Sequence, residues 1–257
     1  MGPANGVGAP LAPSIGWFRP VHGRSLPARE TRALLSARKL VQAKLHDLEM
    51  SLRGFGLKAG VTTPRTFAAR GRELVTGHPT LTVIAQALLT ARRALAGELQ
   101  GLERRVRRLA RDDARARRLM TTPGVESIVA LTYVAAIDDP GRLRSSKAAG
   151  AHFGLTPKKY PSGETDVTGR ISKLGDAGVR AALCEAAHVI LARPVKGSTS
   201  KSWAMRVAGR AGMQKAKSLP SGHDPRVALA RKLAVILHRM LADGTTFDAG
   251  KAARPAG

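Results

Sequence analysis

Cysteine is nearly absent from these 257 residues: Cys184 stands alone. One thiol cannot close an intramolecular disulfide or supply a cysteine-based metal cluster, which suits a reducing compartment. Aromatic residues make up only 4% of the chain, so its cores must be built from Leu, Val, Ile and Ala. Acidic residues are scarce as well: eighteen Asp and Glu stand against forty-three Lys and Arg, for a net charge of +25. Such an excess points to a polyanionic partner, and nucleic acid is the usual one. The longest apolar stretch, Ile128 to Ile137, is too short and too interrupted to span a bilayer. The opening MGPANGVGAPLAPSIG has no basic start and no continuous apolar run, so it does not read as a secretory signal, and a soluble cytoplasmic protein is expected. The seven histidines are scattered singly, and no His/Asp/Glu cluster suggests a metal site.

What is present is helical periodicity. Residues 1–16 carry none and read as a disordered lead-in. From Ser25, with Pro27 suited to a first turn, Leu34, Val41 and Leu48 recur every seven residues until Gly54, Gly56 and Gly60 stop the pattern. Leu81, Leu88, Leu95, Leu102 and Leu109 then hold a strict seven-residue interval, with Ile84, Leu99 and Val106 on the same side. This predicts a long coiled-coil helix over 80–118, pairing either with the first helix as an antiparallel hairpin or with a second copy as a dimerisation arm. Residues 17–118 form a coiled-coil region, 119–247 a compact second unit, and 248–257 a disordered tail. The fold class expected is mainly all-α.

The end of the long helix carries Arg104, Arg105, Arg107, Arg108, Arg111, Arg115, Arg117 and Arg118, offset only in part by Asp112 and Asp113. These arginines wrap the helix and lack Glu partners at i,i+4, which favours phosphate contact over a merely solvated face. Next, LMTTPGVESIVALTYVAAI reads as a helix end, a turn at Pro123–Gly124 and a second helix. A helix-hairpin-helix element cradles a phosphate on backbone N–H groups at such a turn. Glu126 sits where that element would have a second glycine, so an ordinary helix–helix turn is the alternative. Helices are expected over 143–153, 176–193 and 227–242, the last with Leu229, Leu233, Ile236, Leu237 and Met240 on one face. SLPSGHDPR at 218–226 reads as a surface loop. Between the first two lies YPSGETDVTGRISKLGD, where Pro161–Ser162–Gly163 is turn chemistry in a basic setting of Lys158, Lys159, Arg170 and Lys173.

RLMTTPGVESIVALTYVAAI, SKAAGAHFGLTPKKYPSGETDVTGRISKLGDAGVRAALCEAAHVIL and KLAVILHRML, in that order, resemble the C-terminal transposase domain of the bridge-RNA-guided, DEDD-type insertion-sequence transposases. The resemblance covers about residues 17–247 and is most specific in GLTP, the Ser-Gly loop, GRISKLGD and the closing helix. It implies a RuvC-like domain with four metal-holding carboxylates, a coiled coil, and a C-terminal domain with a serine nucleophile, whose position Ser162 matches. A serine hydroxyl attacking phosphorus needs a base or a strongly electropositive site, and the phosphorane needs cationic clamps, which Lys158, Lys159, Arg170 and Lys173 could supply. The resemblance further implies DNA and a guide RNA as partners, oligomers through the coiled coil, and a divalent ion such as Mg²⁺ in the full-length family.

The metal-holding carboxylates have no counterpart here: the sixteen residues before Trp17 contain no Asp or Glu, and up to residue 46 the sole acid is Glu30. No strand pattern with an embedded Asp occurs there either. The expectation is therefore a truncated transposase, with no cofactor site of its own and inactive alone. SLRGFGLKAG looks shortened, and SLPSGHDPR looks inserted, relative to the family pattern. The alternatives are a non-enzymatic nucleic-acid-binding protein and a structural protein that oligomerises through its heptads.

Overall fold

A computed structural model describes residues 22–54, 67–162, 165–192 and 225–248, with the backbone alone for 158–170. The expected lead-in at 1–16, most of SLRGFGLKAG and of SLPSGHDPR, and the tail beyond Asp248 lie outside them. The described residues are mainly helical, as expected.

Helix α1 (Leu26–Gly54) begins where Ser25 Oγ accepts the N–H of Ala28 at 3.3 Å. A short α2 (Phe67–Leu74) precedes α3 (Pro79–Asp112), which has proline in its first turn. The pairing of α3 is with α1, in cis and antiparallel. Arg38 Nη2 meets Glu103 Oε1 at 2.8 Å, and Arg92 Nη2 meets Glu49 Oε1 at 2.6 Å. The second pair lies eleven residues on along α1 (38 to 49) and eleven back along α3 (103 to 92), so both pairs report one register. Arg38 and Arg92 are each 13% exposed, so these pairs help to fix that register. At the far end of the arm, Leu52, Val75, Ala85 and Leu89 form a small separate core.

The heptad leucines are not the buried stripe of α3. Leu81, Leu88, Leu95, Leu102 and Leu109 are all half-buried, while full burial falls on Ala85, Leu89, Val106 and Ala110. The helix also ends earlier than its pattern predicts. Asp113 is extended (φ −80°, ψ 114°) and its carboxylate accepts the N–H groups of Arg115 and Ala116, starting α4 (Ala114–Leu119). An aspartate that can cap a new helix competes with continuing the old one.

Thr122 to Gly124 turn the chain into α5 (Ser127–Ile137), which is apolar around most of its surface and buries Val129, Leu131, Val134 and Ile137 among others. Each such side chain contributes about 1.5–3 kcal/mol when fully removed from water. The helix is walled by α1, α3, α4 and α7 (Ala177–Ala192). Tyr133 donates its hydroxyl to the Ala234 carbonyl of α8 (Pro225–Asp243) at 2.5 Å, and its ring lies 5.4 Å from that of Phe153. Burial pushes the Tyr133 phenol well above its ordinary range, keeping it a donor.

The helix expected over 143–153 shrinks to its last turn, α6 (Ala149–His152), preceded by 3₁₀ turns at Pro140–Arg142 and Ser146–Ala148. The reason is a tertiary anchor. His238 on α8, 2% exposed, is 3.1 Å from the Pro140 carbonyl and 2.9 Å from Ser146 Oγ. A carbonyl can only accept, so Nε2 donates to it and Nδ1 accepts from the serine. Both turns are thereby held against α8. The expected basic loop is an antiparallel hairpin, β1 (Pro157–Ser162) and β2 (Thr165–Ile171), irregular between Pro157 and Lys159.

Gly124 (φ +75°) marks where α4–α5 meets α7: a Cβ there would lie 2.7 Å from both the Ala186 carbonyl oxygen and Ile190 Cγ1. Gly124→Ala combines left-handed strain with overpacking against backbone and should cost about 2–4 kcal/mol in urea unfolding. A loss below 0.5 kcal/mol would contradict this packing.

Candidate nucleic-acid interface

Arg104, Arg105, Arg107, Arg108 and Arg111 are exposed at the end of α3, and Arg104, Arg108 and Arg111 lie on the face opposite Val106 and Ala110. Arg107, contrary to the expectation that the run lacks i,i+4 Glu partners, pairs with Glu103 one turn back at 3.2 Å. Arg115 bonds Asp113 and the Asp138 carbonyl, and Arg117 bonds the Arg111 carbonyl. No carboxylate pairs with Arg104, Arg105, Arg108, Arg111 or Arg118 among the described residues. Arg115, Arg117 and Arg118 stand on α4, beyond the break at Asp113, so the run is a corner rather than one helical face.

At Pro123–Gly124 the geometry gives the glycine a packing reason that needs no phosphate. The start of α5 is occupied by Glu126, extended and without a side-chain cap bond, which suits the positive end of the helix dipole. Glu103, Glu126 and Glu185 share a cavity of about 650 Å³ there with Arg38 and Arg107. Its walls are of mixed sign, unlike the arginine corner.

The hairpin gathers four of the expected residues on one ribbon but spreads them along it. Ser162 faces Thr165 at the far end, and Lys159 faces Thr168. Lys158, Lys159 and Arg170 lie nearer the root, on the order of 10 Å down the strand at about 3.3 Å per residue. Their side chains, and that of Ser162, lie outside the described residues. Lys173 is lower still and exposed, in the left-handed region (φ 56°), its N–H donated to the Gly154 carbonyl at 3.1 Å.

The root is a neck in which backbone touches backbone. Gly154 (φ +65°) has room for no side chain, since a Cβ would meet the Leu174 carbonyl at 2.1 Å, and one on Gly175 (φ +80°) would meet that of His152 at 2.2 Å. The Arg180 guanidinium, from α7, donates to the carbonyls of Phe153, Leu174 and Gly175 at 3.2, 3.0 and 3.0 Å. Asp176 caps α7 by accepting from Gly178 and Val179, and its other oxygen takes Arg32 of α1 at 2.5 Å. Burial alone would raise the Asp176 carboxyl, but Arg32 and these N–H groups hold it below its ordinary value. Sequence reasoning missed Arg32 and Arg180. Only LGD before an apolar helix signalled the cap.

A second anchor was also missed. Asp138, a non-glycine residue with φ 61°, ends α5. Its carboxylate accepts from Ser25 Oγ at 2.6 Å and Ser25 N at 2.7 Å, with His22 Nε2 at 3.1 Å, tying the entry of α1 to the exit of α5. Burial pushes its carboxyl up, but the Ser25 and His22 contacts outweigh this and hold it at about 2.

Among the described residues no three His, Cys, Asp or Glu side chains converge on a point that could hold a metal ion. Those residues do not fit the divalent ion that the resemblance implies. No described helix is long and apolar enough to cross a membrane.

A basic helical scaffold presenting a narrow ribbon with a serine at its far end is thus the class of site defined. Residues 116–202, which span the α4–α5 turn, the hairpin and α7, match the family model described as "Transposase IS116/IS110/IS902 family". The chain is 26% identical over 243 residues to the transposase for insertion sequence element IS1111A of Coxiella burnetii, covering 91% of this chain and 64% of that protein. It is 29% identical over 205 residues to the transposase for insertion sequence element IS1328 of Yersinia enterocolitica (77% and 58% covered). To a probable family 20 transposase of Pseudomonas aeruginosa it is 30% identical over 166 residues (62% and 46% covered). The chain therefore spans between about half and under two thirds of the length of these relatives.

The Asp138 clamp sets an acid limit. Its folded-state value lies below the ordinary carboxyl value near 3.9, so its stabilisation is present above about pH 4 and lost as pH falls toward about 2. Asp138→Asn changes the charge at nearly constant shape and should flatten the stability profile between pH 4 and 2. An unchanged acid slope in denaturant titrations would remove Asp138 from that role.

Proposed function

We propose that this chain is a DNA-binding part of an insertion-sequence transposase of the bridge-RNA-guided, DEDD type, with Ser162 at the nucleophile position. The observation that carries the reading is the hairpin: a serine at the end of a ribbon, on a neck fixed by backbone contact, inside the segment that matches the transposase model. In the reaction, the Ser162 oxygen would form a bond to phosphorus while the bond to the leaving sugar oxygen breaks. The hydroxyl proton goes to a base or solvent, and the leaving oxygen takes up a proton. A metal-holding set for that reaction would come from outside the described residues, and the 257-residue chain is expected to bind DNA without joining strands alone. The half-buried heptad leucines support oligomers through the α1–α3 arm, and a guide RNA is the further partner implied.

The second reading, a binding protein without catalysis, is favoured by the five arginines that lack carboxylate partners among the described residues. Under either reading, duplex binding weakens steeply with salt, by about 0.9 log units per log unit of salt for each phosphate neutralised. Replacing Arg104, Arg108 and Arg111 with Ala should lower that slope by up to about 2.7 in fluorescence anisotropy, and an unchanged slope would dismiss the corner as an interface. Sedimentation of the same samples should show at least a dimer at micromolar concentration; a monomer would exclude the arm as an oligomer contact.

Ser162→Ala separates the two readings. With donor and target duplex, Mg²⁺, guide RNA and a full-length relative present, a covalent chain–DNA adduct should form and disappear in the variant, with binding unchanged. An adduct that survives in Ser162→Ala assigns the chemistry elsewhere, and no adduct in either favours the binding protein.

A further inference from the structure

Beside the neck, between the entry of α1 and the start of α7, opens a cavity of about 430 Å³. Arg24, Arg32, His152 and Asp176 line it, together with Phe153 and Gly175 of the neck itself. Its one carboxylate is already used twice over: Asp176 Oδ1 caps α7 through Gly178 and Val179, and Oδ2 holds Arg32. Arg24 is exposed and has no carboxylate partner among the described residues. Arg142, which bonds the Ile137 carbonyl, faces His152 from the 3₁₀ turn. Among the described residues, the Arg24 charge on the cavity wall is therefore not neutralised by a carboxylate.

Resting on the reading above, and deepening it, we propose that this cavity binds a phosphate of the DNA strand, with Arg24 and the His152 ring as its donors. The cations that line it are Arg24 and Arg32, around a space large enough for a tetrahedral oxyanion, while Arg142 acts on His152 from outside the lining. They sit at the root of the ribbon that bears Ser162, whose strand rise carries the serine on the order of 17 Å further out. A phosphate held here pins the strand several nucleotides from the reacting one, so that the hairpin is positioned along the DNA and not merely attracted to it.

The state of His152 reports occupancy. Burial lowers its pKa, and the facing Arg142, Arg24 and His238 lower it further, with only Asp176 opposing. A bound phosphate adds negative charge at close range and reverses part of that effect, so affinity for it strengthens as pH falls through the range where His152 takes up its proton.

The test is an NMR pH titration of the His152 ring in the full chain, assigned with His152→Gln. It is run alone, with inorganic phosphate, and with a short single-stranded DNA. Both probes should raise its midpoint by at least about half a pH unit. Arg24→Glu should abolish both shifts and weaken DNA binding roughly tenfold, about 1.4 kcal/mol, while Arg24→Lys retains much of both. Thermal unfolding should be unchanged in either variant, because Arg24 is exposed. An unmoved midpoint with DNA bound overturns the site and leaves the functional reading standing. Shifts that persist in Arg24→Glu reduce the effect to the diffuse field of a +25 chain and also overturn it. If the DNA does not bind at all, the functional reading fails, and the inorganic phosphate arm still decides the cavity.

Discussion

The structure depends on covering α5. An eleven-residue helix whose only polar side chains are Ser127 and Thr132 has little to turn to water, so it is enclosed along all but the strip of Ser127, Ile128 and Thr132. That requirement draws α1, α3 and α4, which precede it in the chain, and α7, which follows it, onto a single axis, and α8 joins them where Tyr133 reaches the Ala234 carbonyl. Alanines 130, 135 and 136 let these neighbours approach closely, and Gly124 lets α7 reach the backbone at the helix start. The region read from sequence as a separate coiled coil is therefore built into the second unit at its base. Only the far end of the arm, around Leu52 and Leu89, has a core of its own.

From that enclosed helix the polar parts take their positions. Asp138 at its exit fixes the entry of α1, and Arg32 on α1 fixes Asp176 at the start of α7. An exposed ion pair is worth little, but Asp176 is at once a helix cap and an ion-pair partner, so losing it would loosen two elements together. Arg180, one turn into α7, then gathers the three carbonyls of the neck. At the root of the ribbon, Gly154 and Gly175 bring backbone against backbone, and Arg180 ties the two strands' ends to α7.

How much of this was legible follows the range of the interactions. Helices α1, α3, α5, α7 and α8 could be read, because heptad spacing and continuous apolar runs are local signals, but that spacing left open whether α3 pairs with α1 or with a second copy. The end of α3 was misplaced because one aspartate among eight arginines looked like charge balance, whereas it is a cap. The helix expected over 143–153 failed for a long-range reason, since nothing in SKAAGAH announces that His238, some ninety residues on, will hold Ser146 and Pro140. The hairpin was hidden by its own composition: Pro157 and Pro161 are turn chemistry, and strand pairing overrode them. The arginine corner was legible as charge but not as a corner, because its bend is made by Asp113.

The placement of the serine follows from the same contrast between local chemistry and distant support. Pro161 and Gly163 frame Ser162 as a turn would, yet the register sets it at the end of a ribbon, away from the basic residues beside it in sequence. Under the proposed reading, the Ser162 position stands about three residues, on the order of 10 Å, along the strand from Lys159, so positive charge for its hydroxyl would come in part from whatever the ribbon is laid against. Alignment with a scissile phosphate would precede any activation of that oxygen, and the register at the end of the ribbon is what this fold would contribute to it.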